Sequence, residues 1–343
     1  KELVEAAGGR IEDVAKLNLK EVSARLKGPI NTVVYVVVRR DDQELSLSID
    51  RSTIELESVI GDYRDAKNEW VYRLEDDPSI AYVRLTSFGE KTDGELREVL
   101  TQFNNDFRGL VLDLRGNSGG LLYAAVDICD MFLERGRIVS TRIRGGKVYD
   151  EFDAQAGTLV SNDKPVAVLI DGNSASASEI VAACLQDHQR AVVVGTRSYG
   201  KGTVQNILPL QYGRSALRLT VARYYRPSGK NIHRVKEAKP EDEWGVRPND
   251  EMEVSLDETT LEKLSKRWRE ASYPSLAASS ALQLHVDEQA LEDESSEKEG
   301  GEGEELSVGG LSLDPVLRRA VEAIDADRAI DNEQNINVVP AAA

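Results

Sequence analysis

Three short apolar runs, each followed by a glycine- or serine-rich turn, constrain the fold of this chain more than any other feature. The runs occupy residues 110–114 (LVLDL), 165–170 (PVAVLI) and 191–194 (AVVV). Helical patterns follow the first two, at LLYAAVDICDMFL and at residues 178–186. Strands that alternate with helices in this way predict an α/β domain with a largely parallel sheet. Loops at the carboxyl ends of such strands are where reactive residues concentrate.

Size and charge narrow the class of protein further. With 343 residues and 41% hydrophobic content, the chain can form a main core and one or two small satellites. A formal net charge of −17 argues against nucleic acid and anionic membranes as partners. Cys129 and Cys184 lie in apolar patterns, which favours buried small side chains over a disulfide. No run approaches the ~18 apolar residues of a membrane span, and KELVEAAGG lacks the apolar segment of a signal peptide.

Residues 1–56 predict a small α+β element that precedes the main domain. LNLKEVSARL has helical spacing, and the pair Gly28-Pro29 ends the helix. Residues 32–40 are rich in β-branched side chains, and residues 44–49 alternate between polar and apolar, so both segments are expected to be strands.

The region after the main domain divides by composition. Residues 287–305 contain ten acidic residues and only one lysine, which is typical of a solvated linker. Further on, Asp314 and Pro315 are expected to be the N-cap and first residue of a last helix. The expected divisions are therefore the N-terminal element at 1–56, the main domain with its cap elements at 57–255, a helical segment at 256–284, the acidic linker at 285–308, and a C-terminal helix and tail at 309–343.

The hexapeptide SASASE at residues 174–179 is the first candidate for chemistry. It joins a buried strand to a helix, and the N–H groups at a helix N-terminus can stabilise a developing oxyanion. A serine at this position can be a nucleophile. It can equally be an ordinary helix N-cap.

Lys201 is the second candidate, and it stands between Gly200 and Gly202 after the apolar run AVVVG. A lysine acts as a base only when its amine is neutral, which apolar surroundings favour. The alternative is an ordinary solvated lysine, and the spacing of a phosphate-binding loop is absent. His188 could compete as the base, but twelve helical residues would place it about 18 Å from Ser176. A helix C-terminal cap is the simpler explanation for His188.

The segment SASASEIVAACLQDHQRAVVVGTRSYGKGTVQ resembles the signature of the carboxyl-terminal-processing, or tail-specific, serine proteases of the peptidase S41 type. The resemblance implies a catalytic core related to the ClpP/crotonase type of α/β fold. It makes the middle serine, Ser176, the nucleophile and Lys201 the general base, with Gln205 orienting the lysine. It also makes residues 1–56 the C-terminal part of a PDZ domain.

The same resemblance implies the rest of the site. The turn in VLDLRGNSGG would supply one oxyanion donor, from Gly119 or Gly120, and the amide of Ala177 would supply the other. Supporting roles in the family correspond here to Arg115, Glu179 and Asp187. A surface salt bridge or a helix-start carboxylate also accounts for the first two, and a structural role for Asp187 is favoured over direct catalysis.

The function that follows from the resemblance is a serine endopeptidase that cleaves protein substrates near their C-termini. A PDZ domain would recognise apolar C-terminal residues of polypeptide substrates by strand addition. No metal or cofactor is implied, and the family suggests the periplasm or cell envelope. The alternative is a catalytically inactive scaffold or binding protein with a protease fold, and the oligomeric state stays open.

Overall fold

The chain forms two units, Lys1–Glu57 and Ser58–Ala343. A computed structural model describes residues 2–5, 11–14, 16–40, 43–53, 57–274 and 310–336. The acidic linker expected at 285–308 lies outside the described residues, as do the end of the preceding helical segment and the last seven residues.

The first unit is a four-stranded antiparallel sheet with one helix. Its elements are β1 (Glu2–Glu5), β2 (Ile11–Asp13), α1 (Leu19–Leu26), β3 (Val33–Arg40) and β4 (Gln43–Asp50). The strand order is β2-β1-β3-β4. Asn18 and Glu21 form a reciprocal capping box that starts α1, in which each side chain accepts the backbone N–H of the other residue. The predicted helix and the two strands after it are confirmed.

The second unit contains three sheets and six helices among its described residues. Its strands are β5 (Val59–Ile60), β6 (Tyr63–Arg64), β7 (Trp70–Val71), β8 (Ile80–Leu85), β9 (Gly109–Asp113), β10 (Gly136–Arg142), β11 (Val148–Ala154), β12 (Val166–Ile170), β13 (Val192–Gly195), β14 (Thr203–Leu210) and β15 (Ser215–Tyr225). Its helices are α2 (Thr92–Phe103), α3 (Leu122–Asp130), α4 (Ala177–Asp187), α5 (Glu258–Ser272), α6 (Gly310–Leu313) and α7 (Pro315–Ile336).

The central sheet has the order β13-β12-β9-β8-β5, and its four longer strands run parallel. Its strands are buried on both faces, so they read as continuous apolar runs. In β9, Leu110 and Leu112 pack on the side of α2, α3 and α4, whereas Val111 faces the other side. There it meets apolar side chains of α7, among them Leu317 and Ile324. The predicted parallel α/β arrangement is confirmed, and α7 completes the second face of the sheet.

A second sheet, entirely antiparallel, has the order β11-β10-β15-β14. The segments ILPL and SALRLTVARYY lie in β14 and β15 of this sheet. In the segment expected to be helical over residues 256–284, α5 ends at Ser272, and residues 275–284 lie outside the described residues. The N-cap of α2 is Lys91 and not Thr92. Thr92 instead accepts the N–H of Gly89 and donates to Ser58.

Candidate active site

Ser176 lies at the turn between β12 and α4, at the carboxyl end of a central strand. It occupies the N-cap position of α4 with φ 57° and ψ −113°, a conformation that is rare for a residue with a Cβ. The side chain is nearly buried. Ser176 is therefore both the helix N-cap and the candidate nucleophile. Its backbone conformation costs on the order of 1–3 kcal/mol, which neighbouring contacts must offset.

The carboxylate of Glu179 connects this turn to the loop that carries the lysine. Its Oε2 accepts the backbone N–H groups of Ser176 and Lys201, both at 2.8 Å. Its Oε1 accepts the N–H of Gly200 and the hydroxyl of Ser198, both at 2.6 Å. Burial raises the pKa of Glu179, and these four hydrogen bonds oppose that rise. Glu179 is therefore a buried carboxylate whose hydrogen bonds join the Ser176 turn to the Lys201 loop.

Lys201 and Gln205 are both exposed in this conformation. Lys201 lies between β13 and β14, and Gln205 lies on β14. Among the described residues, neither side chain has a hydrogen-bond partner, so the Gln205–Lys201 contact expected from the sequence is absent here. The apolar enclosure expected around the amine is also not found, because the loop presents the Lys201 side chain to solvent. What the structure brings close to Ser176 is the main chain of Lys201.

Asn117, which the sequence analysis did not single out, organises the turn between β9 and α3. Its Oδ1 accepts the N–H of Gly119 at 2.9 Å, and its Nδ2 donates to the carbonyl of Leu85 at 2.8 Å. Its own carbonyl accepts the N–H of Ala175 at 3.0 Å and the hydroxyl of Ser178 at 2.8 Å. Asn117 therefore fastens this turn to the one that holds Ser176.

Gly119 and Gly120, the two adjacent glycines of this turn, differ in what their N–H groups do. The N–H of Gly119 is already used by Asn117, whereas the N–H groups of Gly120 and Ala177 have no acceptor within the described residues. Gly119 has φ 96°, and a Cβ there would lie 2.6 Å from the carbonyl oxygen of Ala175 and 2.8 Å from Cβ of Ser176. Only glycine permits so close an approach. Gly120 and Ala177 are the better pair of candidate oxyanion donors.

Arg115 opens the same turn, and its guanidinium is buried between two carboxylates. It donates to Asp113 (Nη2 to Oδ2, 2.6 Å) and to Asp314 (Nη2 to Oδ2, 2.7 Å), the residue before α7. Tyr82 adds a hydroxyl donor to Asp113 at 2.7 Å. Burial opposes ionisation of Asp113, but the charges of Arg115 and Arg84 and the hydrogen bonds from Arg115 hold its pKa at about 2. Arg115 is therefore part of a buried ionic cluster and not of a surface salt bridge.

Asp187 lies at the other end of α4 from Ser176. Its carboxylate accepts two hydrogen bonds from Arg226, at 2.6 and 2.9 Å, and one from the N–H of Ser228 at 2.9 Å. His188 is the C-cap of the same helix, as expected, and its Nε2 lies 2.7 Å from the carbonyl of Arg137. The structure brings neither side chain to Ser176.

Two further serines that sequence reasoning passed over support the loops. Ser174 Oγ donates to the carbonyl of Leu114 at 2.9 Å, and Ser198 Oγ accepts the N–H of Val246 at 2.7 Å while donating to Glu179. Serine beside a glycine turn is usually a turn-forming residue without a further role, which is why these two serines were not predicted. The signal that could have found Ser174 is its position two residues before Ser176 in one hexapeptide, whereas Ser198 carries no such signal.

Among the described residues, no group of three or more His, Cys, Asp and Glu side chains is arranged to hold a metal ion. Both cysteines are buried and unpaired, as expected. No helix within the described ranges combines the length and the apolar character needed to cross a bilayer.

Comparisons with known proteins agree on one family. Over 231 residues the chain is 42% identical to a carboxy-terminal-processing protease of Bartonella bacilliformis, covering 65% of this chain and 50% of that protein. Over 247 residues it is 33% identical to a carboxyl-terminal-processing protease of Synechocystis, covering 71% of this chain and 53% of that protein. The chain thus spans about half the length of these curated relatives. The photosystem II D1 C-terminal processing protease aligns in structure with a TM-score of 0.48 and 30% identity, covering 70% of this chain and 60% of that one.

The residues that carry the candidate site lie within the matched region. Residues 79–250, half of the chain, match the sequence profile of peptidase family S41. This range holds Ser176, Lys201, Glu179, Gly119 and Gly120, although Asp314 lies beyond it. The chain belongs to peptidase family S41.

Proposed function

We propose that this chain is a serine endopeptidase in which Ser176 is the nucleophile and Lys201 the general base. The observation that carries the proposal is the shared acceptor: Oε2 of Glu179 binds the backbone N–H groups of both residues. The two main-chain nitrogens therefore lie within about twice a hydrogen-bond length of each other. A lysine whose backbone is held there reaches the serine by rotating its own side chain.

The reaction follows from these positions. The neutral amine of Lys201 takes the hydroxyl proton of Ser176 as Oγ bonds to the peptide carbonyl carbon. The N–H groups of Gly120 and Ala177 donate hydrogen bonds to the oxyanion that forms. The Lys201 ammonium then protonates the leaving amine, and the C–N bond breaks to give an acyl-enzyme. Water attacks this ester, Lys201 takes the proton of the water and returns it to Oγ, and the acid product leaves. Gln205 orients the amine during these transfers.

The substrates we propose are polypeptides cleaved near an apolar C-terminus. The helix and strands of residues 1–56 support the assignment of this unit as the C-terminal part of a PDZ domain, which would bind the substrate as an added strand. A location in the periplasm or cell envelope belongs to the same proposal, because it follows from the family resemblance.

Cleavage of an unfolded polypeptide with an apolar C-terminus tests the proposal, with fragments identified by mass spectrometry. Ser176→Ala and Lys201→Ala should each abolish cleavage, while Lys147→Ala, at another exposed lysine, should leave it unchanged. Cleavage that survives either of the first two changes would refute the mechanism. A folded wild-type protein that cleaves nothing would favour the alternative of an inactive protease-fold scaffold.

A further inference from the structure

The pair between Arg115 and Asp314 joins the β9–α3 turn to the last helix of the chain. Arg115 Nη2 lies 2.7 Å from Asp314 Oδ2, and Nη1 lies 3.1 Å from Oδ1, so the contact is bidentate. Each side chain is 3% exposed. A pair that is so completely removed from water is sensitive to the loss of either partner.

We propose that Asp314 is a positioning residue for the oxyanion donor of Gly120, acting through Arg115. The inference rests on the proposed peptidase function. It assigns a role in the site to a residue 199 positions away from Arg115 and outside the region matched to the family.

The coupling runs from the guanidinium of Arg115 to its own backbone. Asp113 Oδ1 accepts both Nε and the backbone N–H of Arg115, each at 3.0 Å. The carbonyl of Arg115 accepts Nη2 of Arg84 at 3.1 Å. A displacement of the guanidinium would therefore pull on the first residue of the turn.

From that residue the turn runs directly to the candidate donor. Gly116 N–H donates to Asp171 at 3.0 Å, and Asn117 then fixes Gly119, the residue before Gly120. The turn is thus held at its start by the ionic cluster and in its middle by Asn117. Catalysis depends on donors placed within tenths of an ångström, because the oxyanion is stabilised only at hydrogen-bond distance.

Charge explains why the carboxylate of Asp314 is needed there. The cluster contains the carboxylates of Asp113 and Asp314 and the guanidinium groups of Arg115 and Arg84, of which Arg84 lies 3.5 Å above the ring of Trp268. The four charges balance. Without the charge of Asp314, the cluster carries an uncompensated buried positive charge and Arg115 is drawn toward Asp113.

The attachment of α7 does not require this charge. Asp314 Oδ1 also accepts the N–H groups of Val316 and Leu317, at 3.0 and 3.1 Å, as a helix N-cap, and asparagine caps a helix about as well. The helix is held on the sheet by buried apolar side chains, including Leu317 and Ile324. The variant Asp314→Asn therefore keeps the cap and the packing, and it removes the charge together with the Oδ2 acceptor of Arg115.

A matched control exists on the same side of the sheet. Asp62 is also buried, and its Oδ1 accepts Nη1 of Arg267 at 2.7 Å. Its hydrogen bonds lead to α5 and to the N–H of Glu75 and not to the β9–α3 turn. Asp62→Asn should cost stability as Asp314→Asn does, without disturbing Gly120.

The experiment compares kcat and KM of the wild type, Asp314→Asn and Asp62→Asn on one peptide substrate, below the melting temperature of each. The affinity of a peptide aldehyde, whose serine adduct places an oxyanion in the site, is measured in parallel. For Asp314→Asn we expect kcat and aldehyde affinity to fall about 10- to 100-fold with KM within about two-fold. For Asp62→Asn we expect kcat and aldehyde affinity to stay within about two-fold of the wild type, since its bonds do not lead to an oxyanion donor.

Equal kcat values for the two variants would overturn the inference. If Asp314→Asn does not fold, the double change Arg115→Met with Asp314→Leu removes the pair while keeping apolar volume, which buried ion pairs often tolerate. The same fall in kcat is expected, and an unchanged kcat would contradict the proposal. Ser176→Ala in the same assay distinguishes failure of this inference from failure of the proposed function. If Ser176→Ala still cleaves the substrate, or if the wild type is inactive, the proposed function is refuted instead.

Discussion

Oε2 of Glu179 accepts the backbone N–H of Lys201 at 2.8 Å, and the same atom accepts the N–H of Ser176 at the same distance. The two loops that carry the proposed nucleophile and base therefore share one acceptor. A carboxylate fits this position because it offers only acceptors, and all four groups that reach it are donors.

The variant Glu179→Gln tests this arrangement. Its amide NH₂ would face two of the four donors, so the loops should separate and kcat should fall about 100-fold. The free energy of unfolding should fall by about 1–3 kcal/mol, because buried donors lose their acceptor. Glu95→Gln is the control, since Glu95 accepts one hydrogen bond, from Ser58, on α2. Steady-state kinetics and chemical denaturation measure both effects, and a Glu179→Gln enzyme with wild-type kcat would contradict the shared-acceptor role.

A methyl group at Gly119 should separate crowding from backbone strain. In Gly119→Ala the new Cβ would press on Ala175 and Ser176, and kcat should fall about 100-fold or more as the turn shifts. Gly145 has a similar φ of 90° but nothing within 4 Å of an added Cβ. Gly145→Ala should lose only the ~1–2 kcal/mol that a left-handed backbone costs and should keep its kcat. Equal kcat losses in the two variants would mean that strain, and not the contact with Ser176, is responsible.

Acid should weaken the fold through Asp113. Its pKa is about 2 in the folded chain against an ordinary 3.8, so the folded state holds this proton less tightly than the unfolded state. The resulting stability, about 2 kcal/mol, is fully present above pH ~3.8 and is lost as the pH falls toward ~2. Across this window, the free energy of unfolding obtained from denaturation curves should therefore fall less steeply with acid for Asp113→Asn than for the wild type. Parallel curves would show that Asp113 does not contribute.

Asp187 should prove to be structural. Burial opposes its ionisation, but its hydrogen bonds with Arg226 and Ser228 lower its pKa. Asp187→Ala should cost about 1–3 kcal/mol of stability by leaving Arg226 without a carboxylate partner, while kcat below the melting temperature stays within about two-fold. A large fall in kcat with an unchanged melting temperature would instead indicate a part in proton transfer.

The central sheet could be predicted from the sequence because its strands are buried on both faces and alternate with helices. Short-range patterns also placed Asp314 as the N-cap of α7, and its bonds to Val316 and Leu317 confirm this. The start of α2 is harder to predict, because Thr92 uses its hydroxyl for Gly89 and Ser58 and does not cap the helix, and these partners depend on tertiary contacts.

The contacts that support the candidate site were harder to predict than the position of the site along the chain. Arg115 and Asp314 are far apart along the chain, and no local periodicity relates them. For Glu179 the resemblance implied a supporting role and the local sequence a helix-start carboxylate, but its four partners were not predictable, since the donors from the loop of Lys201 approach it only in the folded chain. The exposure of Lys201 also depends on how the loop before β14 leaves the core, which composition does not determine.

The order in which the site residues and α7 occur along the chain has a consequence for biosynthesis. Synthesis proceeds from the N-terminus, so Ser176, Lys201 and Glu179 leave the ribosome before Asp314 and α7. Until α7 emerges, one face of the central sheet lacks its apolar cover and Arg115 lacks its second carboxylate. On the proposed mechanism, a nascent chain would therefore contain the proposed nucleophile before the oxyanion donors are positioned, so that cleavage would begin only after α7 has been made.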